Sequence, residues 1–87
     1  MPKLSEIDGI QISMRYFEHN ERHHSPHFHV KYAEYSATIA CEPVEVFESN
    51  LPPSIESRVL KWARTKQLEL LENWELLKFG KKHKKID

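Results

Sequence analysis

From Ile10 onward the chain alternates. Ile10, Ile12, Met14 and Tyr16 fall on one side of an extended backbone and Gln11, Ser13, Arg15 and Phe17 on the other, so the pattern predicts a half-buried strand over residues 10–17. Upstream, Ile7-Asp8-Gly9-Ile10 reads as the end of a strand followed by a tight turn, because Asp-Gly is the strongest turn signal in the chain. After a polar connection at 18–26 that ends in Pro26, residues 27–33 alternate again. Phe28, Val30 and Tyr32 are expected inward and His27, His29 and Lys31 outward. Residues 35–41 form a third alternating run, Glu42-Pro43 ends it, and Val44 to Phe47 reads as a short edge strand.

At Leu51-Pro52-Pro53-Ser54 the period changes from two to between three and four. Proline suits a first helical turn, Asn50 or Ser54 can cap, and Ile55, Val59, Trp62, Ala63, Leu70, Trp74 and Leu77 form the apolar stripe of an amphipathic helix. Gly80 is a natural stop. One straight helix over 53–78 would measure about 39 Å at 1.5 Å per residue, longer than the diameter of about 31 Å that a compact chain of this size allows. Either the helix breaks near Arg64-Thr65-Lys66-Gln67, where the stripe lapses, or it overhangs and packs on a second copy; a break is the favoured reading, and the two tryptophans read as anchors of helix to sheet. The predicted fold is α+β: an antiparallel β-meander of three to five strands packed against one long or two short C-terminal helices. Residues 1–80 make a single domain and 81–87 a basic, solvated C-terminal tail.

Composition narrows the picture. The 87 residues allow one core that buries about 60–65% of the unfolded surface, so a homodimer would add useful stability. No apolar run approaches the roughly 18 residues needed to cross a bilayer, the amino terminus lacks a signal-like stretch, and Cys41 has no partner for a disulfide. These features predict a cytoplasmic protein without a membrane partner, and Cys41 as a small core residue. Thirteen basic residues balance thirteen acidic ones, which argues against strong nonspecific nucleic-acid binding but permits a local basic surface. Lys78, Lys81, Lys82, Lys84 and Lys85 provide one on paper. No Gly-rich phosphate loop, Cys-x-x-Cys pair or nucleophile elbow is present, so dinucleotide enzymes, P-loop nucleotidases, zinc ribbons and serine hydrolases are not expected.

The candidate chemistry lies in residues 18–29, which hold five of the six histidines. His27 and His29, two apart on a strand, leave one face and could share an ion or an anion. A metal reading takes His27 and His29 with a loop histidine, His19, His23 or His24, around Zn²⁺ or Fe²⁺. A metal-free reading places Arg15 opposite His29, Phe17 opposite His27 and Ser13 opposite Lys31, giving imidazoles, arginine and hydroxyl suited to acid and base chemistry on a phosphodiester. A structural reading leaves the same histidines satisfying backbone groups, packing on Phe17 or forming a partner interface.

Met1-Pro2-Lys3-Leu4-Ser5-Glu6, Pro26-His27-Phe28-His29-Val30 with Tyr32, Leu51-Pro52-Pro53, and Trp62-Ala63 with Glu69-Leu70-Leu71-Glu72-Asn73-Trp74-Glu75 together resemble the domain-of-unknown-function 4160 family of small bacterial proteins. Relative to that pattern, Glu21-Arg22-His23-His24-Ser25 intervene before Pro26, which leaves His19, His27 and His29 as the shared histidines, and Ala33 stands where a glycine usually follows the tyrosine. The resemblance implies no established chemistry. It implies a protein partner encoded nearby, in an arrangement similar to toxin–antitoxin pairs. The leading expectation is thus a toxin–antitoxin-like module acting through a partner protein and RNA, with Arg15, His27 and His29 as working residues. The alternative is a metal-binding domain of His19, His27 and His29.

Overall fold

The computed structural model describes residues 3–16 and 25–86. Strands β1 (Lys3–Ile7), β2 (Ile10–Ser13), β3 (His27–Tyr32), β4 (Tyr35–Cys41) and β5 (Val44–Ser49) form one antiparallel sheet in sequence order, followed by helices α1 (Pro53–Thr65) and α2 (Gln67–Lys78). This is the predicted α+β meander with two helices. Its β2 is shorter than the alternation suggested, ending at Ser13 although Met14 remains fully buried.

Tight connections set the meander. Ile7 pairs with Ile10 across Asp8-Gly9, whose φ values of 48° and 83° suit an Asp-Gly turn of type I′. Tyr32 pairs with Tyr35 across Ala33-Glu34, and Ala33 sits at φ 53°. The turn thus keeps a backbone that favours glycine while carrying an alanine. Cys41 pairs with Val44 across Glu42-Pro43.

The chain breaks between helices at Lys66, φ −110°, whose N–H is shared by the carbonyls of Trp62 and Ala63. The Gln67 side-chain amide donates to the Cys41 carbonyl at 2.8 Å, tying the start of α2 to the end of β4. The expected caps are not used. Pro52 occupies the N-cap position of α1 with no side-chain hydrogen bond, and Asn50 Oδ1 instead accepts from the Ser36 N–H at 2.8 Å. Leu4, Ile12, Phe28, Val30, Ile39 and Cys41 from the sheet, with Met14 just beyond β2, meet Val59, Ala63, Leu70 and Trp74 from the helices in one core. Phe28 packs edge-on against Trp62 with centroids 6.3 Å apart, so both tryptophans join helix to sheet as expected.

The carboxyl end differs from a solvated tail. Residues 81–86 have no regular secondary structure, yet the Ile86 N–H donates to the Leu4 carbonyl at 2.8 Å and Ile86 is 4% exposed within the core. An isoleucine among lysines is apolar surface that the fold can bury, and here it docks beside β1.

Candidate functional site

Strand pairing arranges the polar side chains in rows. Ser13 lies opposite His29, which lies opposite Thr38, with Lys3 and Glu48 completing the row at the two ends. A second row runs Glu6, Gln11, Lys31, Ser36, and a third holds His27, Ala40 and Glu45. The expected register is displaced by two residues, since Ser13 faces His29 instead of Lys31. A two-residue slip keeps every side chain on its own face, so the hydrophobic pattern cannot distinguish the two registers. Arg15 lies beyond the end of β2, and Phe17 falls outside the described residues.

Lys3, Gln11, Ser13, Arg15, His29, Lys31, Ser36 and Thr38 line a shallow depression of about 370 Å³ on this face. Charge is graded across it. Lys3, Arg15 and Lys31 lie toward β1 to β3, whereas Glu45 and Glu48 are exposed on β5. Lys3 is bridged to Glu6 at 2.5 Å, and Arg15 and Lys31 have no ion-pair partner among the described residues. Two cations beside three hydroxyls can hold an anion through charge-assisted and neutral hydrogen bonds together.

The two strand histidines have different settings. His29 is half-buried at the centre of the depression, its Nδ1 3.3 Å from the Thr38 hydroxyl. His27 leaves the same side of β3, its ring 5.3 Å from that of His29 and edge-on to it, but it is only 2% exposed. The expectation that His27 faces solvent is corrected: Trp74 of α2 lies against it with centroids 5.1 Å apart, and Trp74 also meets Tyr16 at 5.0 Å. The alternating pattern of β3 holds no information about a helix that returns from forty residues downstream. The Nδ1 of His27 is 2.8 Å from the Ser25 carbonyl, which can only accept, so Nδ1 carries a proton there. A buried ring held in this way is poorly placed to exchange protons with a ligand in the depression, which leaves His29 as the accessible one of the two strand imidazoles.

For the metal reading, His27 and His29 are adjacent, while His19, His23 and His24 lie outside the described residues. Among the described residues no three His, Cys, Asp or Glu side chains are grouped to hold an ion. The Nδ1 hydrogen bonds of both rings do resemble the outer-shell contacts that orient histidine ligands. Cys41 is fully buried, and burial first, then the neighbouring Glu42 charge, pushes its thiol up to about 12, which suits the expected core role and no nucleophilic one.

Sequence reasoning missed Lys3, Ser36 and Thr38 as lining residues and Asn73 as a buried polar anchor. Ser36 and Thr38 carried a signal in their alternation with Tyr35, Ala37 and Ile39. Asn73, 1% exposed, carried none, because its role depends on Lys84, whose N–H donates to Asn73 Oδ1 at 2.6 Å. No helix among the described residues is long and apolar enough to cross a membrane.

Neither the curated proteins nor the solved structures yield a match to this chain. A family model, described as a domain of unknown function (DUF4160), matches residues 9–75, a span that runs from the first turn through the open sheet face to the Trp74 end of α2. With most of its length matched, including the Pro26-His27-Phe28-His29-Val30 segment and the Glu72-Asn73-Trp74 segment that packs on it, the chain belongs to the DUF4160 family.

Proposed function

We propose that this protein is a binding module of toxin–antitoxin type that takes single-stranded RNA on its open sheet face and is controlled by a protein partner encoded nearby. The observation that carries the reading is the in-register row Lys3, Ser13, His29 and Thr38, flanked by Arg15 and Lys31, in a depression lined mainly by residues with polar or charged ends. Such a surface matches a phosphodiester backbone, whose affinity comes from Lys and Arg neutralising phosphates. Arg15 and Lys31 contact phosphate, and the His29 ring and the hydroxyls of Ser13 and Thr38 complete the contacts. Binding takes precedence over cleavage because the second imidazole, His27, is buried against Trp74.

The test is fluorescence anisotropy with a labelled single-stranded RNA of mixed sequence at low salt. Arg15→Ala and Lys31→Ala are each expected to weaken binding, by about 1 kcal/mol or roughly fivefold for a charge-assisted contact, and to flatten the salt dependence. Absence of binding by the parent protein at low salt would remove the RNA reading. Copurification with the product of the adjacent gene tests the partner, and separation of the two proteins at micromolar concentration would count against it.

A second reading, supported by the adjacency of His27 and His29 and the Nδ1 contact of each, is a Zn²⁺ or Fe²⁺ site completed by His19. It requires near-stoichiometric metal in the purified protein by elemental analysis, lost in His27→Ala and His29→Ala. Metal-free protein with no thermal shift on adding Zn²⁺ or Fe²⁺ would eliminate it.

A further inference from the structure

The basic surface does not stop at the sheet. Residues 81–86 carry Lys81, Lys82, Lys84 and Lys85, and their backbone is held at three points. The Lys81 N–H donates to the Leu76 carbonyl at 2.8 Å, the Lys84 N–H to Asn73 Oδ1 at 2.6 Å, and the Ile86 N–H to the Leu4 carbonyl at 2.8 Å. Both side-chain anchors belong to the interior, Asn73 at 1% and Ile86 at 4% exposure. The segment is therefore a strap that runs from α2, where Lys81 and Lys84 are held, to β1, where Ile86 docks, with its lysine side chains exposed. Lys84 is 3.4 Å from Glu72, while Lys81, Lys82 and Lys85 form no ion pair among the described residues.

Strap and sheet face meet at Lys3. That residue lines the depression with Arg15 and His29, and it also lines a second cavity of about 400 Å³ beside Lys85 and Ile86. Across the sheet the exposed Glu45 and Glu48 on β5 repel a polyanion. A negatively charged chain lying on the face is accordingly disfavoured toward β5 and favoured across β1. The Lys3 charge is shared with Glu6, so continued attraction at that edge falls to the strap.

We infer that the strap is the second half of the RNA-binding surface: the strand crosses from the sheet face over the edge of β1 onto Lys81, Lys82 and Lys85. The inference rests on the RNA reading above and extends its footprint. Fixing the backbone displays the lysines at set positions and lowers the ordering cost that a free tail would incur on binding. The competing role is protection of β1, since lysines and covering segments both shield an edge strand from pairing with other chains. In that role the lysines need only be solvated.

The same RNA anisotropy assay, run as a salt titration, separates these roles. The triple variant Lys81→Gln/Lys82→Gln/Lys85→Gln changes surface residues only and is expected to bind about tenfold more weakly at low salt, with the log–log salt slope shallower by about 2. Ile86→Ser, which loosens the strap without altering charge, is expected to weaken binding severalfold while circular dichroism reports the same strand and helix content. Parental affinity and slope in the triple variant would overturn the inference, and sensitivity to Arg15→Ala in the same experiment would show the sheet-face reading still standing. Parental affinity for a folded Ile86→Ser would overturn the claim of fixed display. No binding by the parent protein would bring down both readings together.

Discussion

Replacing Ala33 by glycine is expected to stabilise the protein. Ala33 occupies the first central position of the turn between β3 and β4 at φ 53°, while Glu34 after it has negative φ, the φ pattern of a type II′ turn in which glycine is usual at the first position. An L-residue with a Cβ pays about 1–2 kcal/mol in left-handed backbone, and glycine does not. Against that gain, glycine adds about 0.4–1 kcal/mol of unfolded-chain entropy. Ala33 is exposed, so removing its Cβ forfeits no burial. The balance is about 0.5–1 kcal/mol in favour of Ala33→Gly, which for a domain of this size raises the melting temperature by about 2–8 °C. Urea unfolding followed by circular dichroism should show a higher midpoint with an unchanged slope, so that the shift reports stability and no change in exposed surface. Two companions fix the cause: Ala33→Val should fall below the parent, and Glu34→Gly should also destabilise, since position 34 gains nothing from glycine. A lower midpoint for Ala33→Gly, or equal gains from Ala33→Gly and Glu34→Gly, would refute the reasoning.

Two further outcomes follow from the core. Trp74→Ala should cost about 3–5 kcal/mol in urea unfolding, as large aromatic truncations do, and should render His27 reactive toward diethylpyrocarbonate in whatever folded fraction remains; a protected His27 in that variant would mean another group covers it. Cys41 has a thiol raised to about 12 in the fold, so between pH 9 and pH 12 the unfolded chain loses this proton and the native state keeps it. Its contribution to stability is then complete below pH 9 and declines as pH rises through that window. Stability of the parent should fall more steeply with alkaline pH than that of Cys41→Ala, and the thiol should react with a thiol reagent only at the rate of unfolding. Rapid labelling of the native protein at neutral pH would contradict the burial.

The open face depends on its supports, and those supports place the useful chemistry. His29 is presented because β3 pairs on both sides, Ser13 and Thr38 flanking it, and because α1 covers the opposite side through the Phe28–Trp62 contact. His27, two residues earlier, is taken out of the accessible set by Trp74. Among the described residues the depression presents one imidazole, His29, beside the cations Lys3, Arg15 and Lys31. Its cations come from separate parts of the chain, Lys3 on β1, Arg15 after β2 and Lys31 on β3, and Lys3 also lies beside Lys85 of the strap.

Local pattern determined much of this protein. Alternation at Ile10 to Tyr16, at Phe28 to Tyr32 and at Tyr35 to Cys41 specified strands and their faces, because the pleat sends successive side chains to opposite sides. Asp8-Gly9 specified a tight turn, and the lapse of the apolar stripe near Lys66, with a length limit on any single helix, favoured a break there without deciding between one long helix and two; the structure decided for two. Tertiary structure alone decided the rest. The register that pairs Ser13 with His29 differs by two residues from the expected one that sets Ser13 opposite Lys31, a change to which face patterns are blind. Burial of His27 under Trp74 and docking of Ile86 beside Leu4 join residues more than forty positions apart, and no local period encodes such contacts. What made the lysine-rich end a fixed part of the surface was a buried asparagine and one isoleucine, whose partners exist only once the chain has folded.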